Sequence, residues 1–337
     1  MQGIFRSWYA ILMGRRPAMS IEITRECPLS CPGCYAYNDN HLDSGLGLRD
    51  LTDFKGDALV ERVVQLARAE RPLHISIVGG EPLVRFRELN RLLPILSGMG
   101  IYTQVVTSAV RPIPPEWASI KRLDVSVSID GLQPQHDARR KPATYDRILK
   151  HIQGQQITVH CTITRQMARG EGDLEAFVRF WSDVPAVKRI WTSLYTPQVG
   201  ELSTERLTAD DRKRVIAELG RLRGSYSKLA VGPGLLAAMA SPPSSPDSCI
   251  FAKVTRCVSA DLVKTVTPCQ FGGRPDCSNC GCMASAGLTA LGRHRLPGGV
   301  AVGTLFDWSF RIGAQTQRLR EAFRERFPEK AHEAGGA

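Results

Sequence analysis

Ile21-Glu22-Ile23-Thr24-Arg25-Glu26-Cys27-Pro28-Leu29-Ser30-Cys31-Pro32-Gly33-Cys34 changes character halfway along. Residues 21–25 alternate apolar and polar side chains, which reads as a strand that ends at Cys27. Pro28 and Pro32 then remove two backbone donors and bias the residue before each away from helix, so 27–34 is a loop. Three cysteines at i, i+4 and i+7 on such a loop have the shape of a metal clamp. A cubane iron–sulfur cluster is usually held by four cysteines. Three from one loop leave one iron free to bind something that is not protein.

Working outward, the strand–loop pattern repeats. His74–Val78 is strand-like and ends in Gly79-Gly80-Glu81-Pro82; 102–106 ends at Thr107-Ser108; 124–129 ends in Asp130-Gly131. Ile157–Ile163 runs into Thr164-Arg165, and 189–194 precedes Tyr195. Between these strands apolar residues recur at helical spacing, as in Leu59, Val60, Val63, Val64 and Ala67, or Phe86, Leu89, Leu93 and Leu96. Further stripes follow at Tyr145–Ile152, Phe177–Trp181 and Val215–Leu222. Six strand–helix units in series predict a parallel α/β sheet with helical crossovers, a partial (β/α)6 TIM-like barrel. The working face of such barrels is the C-terminal end of the strands. Every motif named above falls there, so residues spread over about 140 positions converge.

The chain of 337 residues, 43% hydrophobic and 23% charged, is composed like a soluble globular protein. It divides into an amphipathic segment at 1–19, a core domain at 20–232, a cysteine-rich region at 233–306, and a helix with a flexible tail at 307–337. Phe5, Trp8, Tyr9, Ile11 and Leu12 suit a short helix that plugs one end of the core; contact with a membrane surface through Trp8 and Arg15-Arg16 is the alternative. The net charge of +11, from 44 basic and 33 acidic residues, is scattered and carries no RNP motif or helix-turn-helix. No stable nucleic-acid complex is expected. The N-terminal residues lack a signal-peptide pattern, which predicts a cytoplasmic protein with reduced cysteines. Ten cysteines then point to metal. Cys161, inside a strand, reads as a small core hydrophobe.

The Cys27-x3-Cys31-x2-Cys34 loop after a first strand resembles the signature of the radical S-adenosylmethionine superfamily. Gly79-Gly80-Glu81-Pro82 after the second strand is similar to that family's second motif. Ser128-Ile129-Asp130-Gly131 with His136-Asp137 resembles the subgroup that carries auxiliary clusters. The resemblance covers about residues 20–222 and rests on motifs in order at matching structural positions. It implies a 4Fe-4S cluster on Cys27, Cys31 and Cys34 whose open iron chelates S-adenosylmethionine. One electron would then cleave the sulfonium C–S bond, and the 5′-deoxyadenosyl radical would abstract hydrogen from a substrate or add to it. A one-electron reductant such as flavodoxin or ferredoxin is implied as partner.

The same resemblance suggests the cofactor contacts. Gly79 and Gly80 would let the backbone approach the methionyl ammonium, with Glu81 either bonding that ammonium or satisfying local backbone. Ser128 and Asp130 stand where the family places ribose contacts, and Ser108 and Thr162 lie at neighbouring strand ends. Arg165 is a candidate partner for the cofactor carboxylate. The family's aromatic before the third cysteine is replaced by Gly33; Tyr35 stands just beyond it.

The second cysteine group resembles the SPASM or twitch auxiliary-cluster extensions, although Cys257-x11-Cys269-x7-Cys277-x2-Cys280-x1-Cys282 departs from the full SPASM spacing. One auxiliary 4Fe-4S cluster is expected, on Cys269, Cys277 and Cys280 with Cys282 or Cys257 as the fourth ligand. Structural zinc is the alternative for Cys277-x2-Cys280. The leading function is therefore a radical enzyme acting on a peptide, a small metabolite or a lipid-like molecule. The competing one is a zinc-dependent nucleic-acid-binding module, which would be colourless and bind in a salt-sensitive way.

Overall fold

A computed structural model describes residues 2–42, 45–142 and 145–326. In chain order, helix α1 (Gln2–Leu12) precedes strand β1 (Ala18–Glu22), and α2 (Gly56–Glu70) leads to β2 (His74–Val78). Then come α3 (Phe86–Gly98), β3 (Tyr102–Thr107), β4 (Leu123–Ser128), the short α4 (Gln135–Arg139), α5 (Tyr145–His151) and β5 (Ile157–Ile163). Helices α6 (Arg165–Arg169) and α7 (Asp173–Asp183) precede β6 (Val187–Leu194) and α8 (Ala209–Leu222). The cysteine-rich part holds α9 (Pro233–Ala240), α10 (Ile250–Val254), β7 (Thr255–Val258) and α11 (Met283–Arg293). Helix α12 (Val302–Arg326) follows.

The strands form one sheet in the order β6-β5-β4-β3-β2-β1-β7, every pair parallel. Sequential neighbours joined by helical crossovers give the partial barrel that the alternation predicts. Its outer face carries Ile21, Ile75, Ile77, Val105, Val127 and Val159, all buried in the main apolar core. Leu59 and Val63 of α2, Leu89 and Leu93 of α3, and Phe177 and Trp181 of α7 belong to the same core. Each such side chain contributes about 1.5–3 kcal/mol on burial. The inner face is different. In register across the sheet stand Ser20, Ser76 and Gln104, and farther round Ser128, His160 and Trp191. Barrel interiors are ordinarily filled by bulky branched residues; here short polar side chains leave the middle hollow.

Three boundaries differ from the sequence reading. The first strand occupies Ala18–Glu22 rather than 21–25, because Thr24 and Glu26 turn their carbonyls to the N–H groups of Gly80 and Glu81, each at 2.8 Å. The region 233–306 adds a seventh strand to the six expected: β7 pairs with β1 through Ala18↔Thr255 to Ile21↔Val258. The final helix begins at Val302 and runs to Arg326; residues 327–337 lie outside the described part. Helix α1 packs on α12, with Ile11 buried beside Phe306 and Trp8 against the Phe306 ring at 5.8 Å. No helix among the described residues is long and apolar enough to cross a membrane.

Candidate active site

The loop after β1 is pinned at both flanks. Ser30 donates its N–H to the Lys141 carbonyl at 2.6 Å, and the Tyr37 hydroxyl donates to the Arg25 carbonyl at 2.9 Å. The Leu29 N–H points at Cys27 Sγ, 3.4 Å away. The three thiols lie within electrostatic reach of one another, and burial pushes Cys27 up to about 12 and raises Cys31. Among the described residues no group of three or more His, Cys, Asp or Glu closes on a single metal ion. A four-iron cubane is a larger body than one ion. Three convergent soft thiols with an open cavity beside Cys31 and Cys34 match what such a cluster with one free iron requires.

The Gly79-Gly80 turn is needed for close backbone packing. A Cβ at Gly80 would stand 2.1 Å from the Glu26 carbonyl oxygen and 2.6 Å from the Tyr37 hydroxyl; Gly79 has φ +127°. Glycine lets the strand-end turn lie directly on the segment that leads into Cys27. Glu81 is fully engaged. Its carboxylate accepts from the Leu83 N–H at 2.9 Å, the Ser108 N–H at 2.8 Å and the Thr107 hydroxyl, and burial raises it. Of the two roles open to Glu81, satisfying local backbone is the one the structure displays.

Two of the expected cofactor contacts are engaged by other protein groups. Asp130 does not face the cavity. Its buried carboxylate accepts from Arg139, from Arg140 Nε at 2.7 Å and from the Thr162 N–H at 2.9 Å. Against the opposing effect of burial, Arg140 and Arg139 hold it well below the usual carboxylate range. Arg165 sits at the start of α6 and pairs with Asp211 of α8 at 3.5 Å, away from the cavity lining. The arginines at the cavity are Arg139 and Arg140: Arg140 also donates to Ser108 Oγ at 2.9 Å, and Arg139 is held by Glu205 at 2.7 and 3.0 Å. Neither arginine was among the expected site residues.

Cys31, Cys34, Gly79, Gly80, Glu81, Ser108, Ser128 and Thr162 line one cavity of about 490 Å³ that continues down the hollow barrel. Tyr35 also borders it, with its ring packed edge-on to Phe271 at 5.2 Å and near His41 at 5.9 Å. Deeper in, His160 and Ser193 are joined, Nε2 to Oγ at 2.8 Å, and Ser193 Oγ accepts the Met283 N–H at 3.1 Å. Cys161 is fully buried in the core, 3.8 Å from the sulfur of Met167, as a small hydrophobe would be.

A second, small cavity gathers five thiols: Cys249, Cys269, Cys277, Cys280 and Cys282. Cys249 had not been singled out as a ligand, yet it stands here, while Cys257 lies in β7 and packs with Leu42, Leu51 and Val266. Burial pushes Cys277 up to about 11, and Cys269 and Cys282 higher. Prolines and phenylalanines complete an apolar wall, so the donor set and its surroundings suit an iron–sulfur cluster. Phe251, Phe271 and Cys282 border both cavities. Gly281 seals the region to the opposite edge of the sheet: Leu194 donates its N–H to the Gly281 carbonyl at 3.0 Å, and a Cβ on Gly281 would lie 2.0 Å from the Leu194 oxygen.

Two imidazoles give the fold an acid limit. Burial holds His136 and His160 down to about 4, and His136 Nδ1 accepts the Asp130 N–H at 3.2 Å. The unfolded chain takes up these protons below pH 6.5 and the folded one only near 4, so stability is full above 6.5 and falls as pH drops. Each histidine costs about 3 kcal/mol by pH 4. Urea unfolding followed across this range is expected to show the loss, and His136→Gln to remove about half of the slope.

Comparison with known proteins follows this geometry. The family described as the radical SAM superfamily matches residues 21–173. The PqqA peptide cyclase of Rhizobium meliloti (strain 1021) is 31% identical over 121 residues, 35% of this chain and 30% of its own length. That of Gluconobacter oxydans (strain 621H) is 30% identical over 108 residues, 32% of this chain and 28% of its own. The chain therefore spans about 30% of the length of these curated relatives. Among solved structures, Streptococcus suis SuiB bound to the precursor peptide SuiA superposes with a TM-score of 0.59 at 15% identity, over 88% of this chain and 72% of that one. The anSMEcpe structure with bound AdoMet gives 0.55 at 18%, over 75% of each chain. At these identities the likeness is one of fold.

Proposed function

Residues 21–173 of this chain are a radical SAM domain, and on that premise we propose that the protein is an enzyme that reductively cleaves S-adenosylmethionine to modify a peptide. The observation that carries the reading is the cavity into which Cys31, Cys34, the Gly79-Gly80 turn and the ends of β3, β4 and β5 all open. The names of the curated relatives, PqqA peptide cyclases, support a peptide as substrate.

When bound, the cluster supplies the electron that breaks the sulfonium C–S bond, and the carbon radical so released takes hydrogen from the substrate. Cys27, Cys31 and Cys34 would hold it. Arg140, fixed between Asp130 and Ser108, offers positive charge at the rim where a cofactor carboxylate would lie. Ser108, Ser128 and Thr162 present polar groups to the nucleoside portion. Cys249, Cys269, Cys277 and Cys280 would hold an auxiliary cluster, with Cys282 beside them on the dividing wall. A flavodoxin or ferredoxin would deliver the electron.

Anaerobic reconstitution is expected to yield brown protein with about eight irons per chain, four per cluster, and 5′-deoxyadenosine on addition of dithionite. Cys280→Ser is expected to halve the iron and leave that cleavage in place. Protein that takes up no iron overturns the reading.

A further inference from the structure

We propose that the substrate group received by the barrel lumen is an uncharged, hydrogen-bonding side chain, an amide or a hydroxyl, rather than an ionised or an aliphatic one. The inference rests on the peptide-modifying reading above and adds to it which side chain enters.

The lumen is built from groups that both donate and accept. Ser20, Ser76 and Gln104 share one row across β1, β2 and β3, and Ser128 and His160 share another with Trp191. All six border the cavity. Ser20 is 2% exposed, and its buried Oγ has no hydrogen-bond partner. That hydroxyl is free to pair with an amide or a hydroxyl on a ligand that reaches it. The His160 imidazole is kept neutral by burial, and its Nε2 is fixed on Ser193.

Charge is absent where the substrate would sit. Among the described residues bordering the cavity, the charged ones other than histidine are Glu81, Arg139 and Arg140. Glu81 is spent on Thr107, Leu83 and Ser108; Arg139 on Asp130 and Glu205; Arg140 on Asp130 and Ser108. An ammonium entering the lumen meets only Glu81, whose carboxylate is already hydrogen-bonded, and a carboxylate meets only Arg139 and Arg140, which are ion-paired with Asp130 and whose remaining charge at the rim the cofactor carboxylate would take up. Burying either without a counter-charge is unfavourable. An aliphatic chain would be paired with hydroxyls, a carboxamide and an imidazole that it cannot satisfy.

The test uses the reconstituted protein with S-adenosylmethionine bound, titrated by saturation-transfer NMR with N-acetyl amino-acid amides of Gln, Thr, Lys, Glu and Leu. The Gln and Thr derivatives are expected to bind at least about tenfold tighter than the other three. In Gln104→Glu, which places a carboxylate in the lumen, the lysine derivative is expected to overtake the glutamine one. Preference of the unmodified protein for the Lys, Glu or Leu derivative overturns the inference, as does equal or absent binding of all five. Failure of the radical SAM reading shows itself separately, as missing iron and missing 5′-deoxyadenosine; this inference fails with both present.

Discussion

Cys31→Ala is expected to abolish reductive cleavage of S-adenosylmethionine while leaving the fold intact. Cys31 lies on an irregular loop, half-buried, and faces the cavity beside Arg140; no sheet or helix depends on its side chain. Alanine removes one of three thiolates, and a cluster held by two has lost both its anchorage and its defined open iron. Anaerobically reconstituted variant should carry about four irons per chain, those of the auxiliary site, in place of about eight. Formation of 5′-deoxyadenosine under dithionite should fall by a factor of about 1000 or more, about 4 kcal/mol of barrier. Far-UV circular dichroism should not change. Cleavage persisting near the parent rate would remove this loop from the chemistry.

Gly80→Ala should be among the most damaging additions of a single methyl group to this chain. The added Cβ would lie 2.1 Å from the Glu26 oxygen, 2.6 Å from that carbonyl carbon and 2.6 Å from the Tyr37 hydroxyl. No side-chain rotation relieves a clash with backbone. The loop must lift, and the Gly80-to-Thr24 and Glu81-to-Glu26 hydrogen bonds lengthen with it. Overpacking together with two weakened bonds costs about 3 kcal/mol, which lowers Tm by about 4 °C in a chain of this length. Because the displaced residues adjoin Cys27, iron retention should fall as well. Gly98→Ala, where an added Cβ meets nothing within 4 Å, serves as the control and should change stability by less than about 1 kcal/mol. Equal melting temperatures for the two variants would show that the turn is not clamped as described.

Much of this architecture was legible in the chain itself. The period-two stretches and the helical stripes between them located β2 to β6 and their crossovers, and the loop cysteines announced themselves by spacing. What escaped was decided by long-range pairing. Thr255–Val258 is only four residues long, and nothing in it says that it will bond to β1. Asp130 and Arg165 were assigned by position along the chain, yet their charges are settled by partners far from them: Arg139 and Arg140 for the first, Asp211 for the second. Cys249 was one cysteine in a group until packing set it beside Cys269, Cys277 and Cys280. The serines at alternate strand positions were visible throughout. Their meaning needed the sheet to curl, because only then does a polar face become an interior.

The strand β7 has a consequence for how this protein can be divided. A piece ending at residue 232 would strip β1 of its outer neighbour and leave the N–H and C=O groups of Ala18–Ile21 as a bare sheet edge, beside the very loop that carries Cys27. Bare edges recruit other chains. At the far side, Leu194 would lose its bond to Gly281. The cysteine-rich segment is thus a brace across both margins of the half-barrel, and the strands it braces were not built to stand without it.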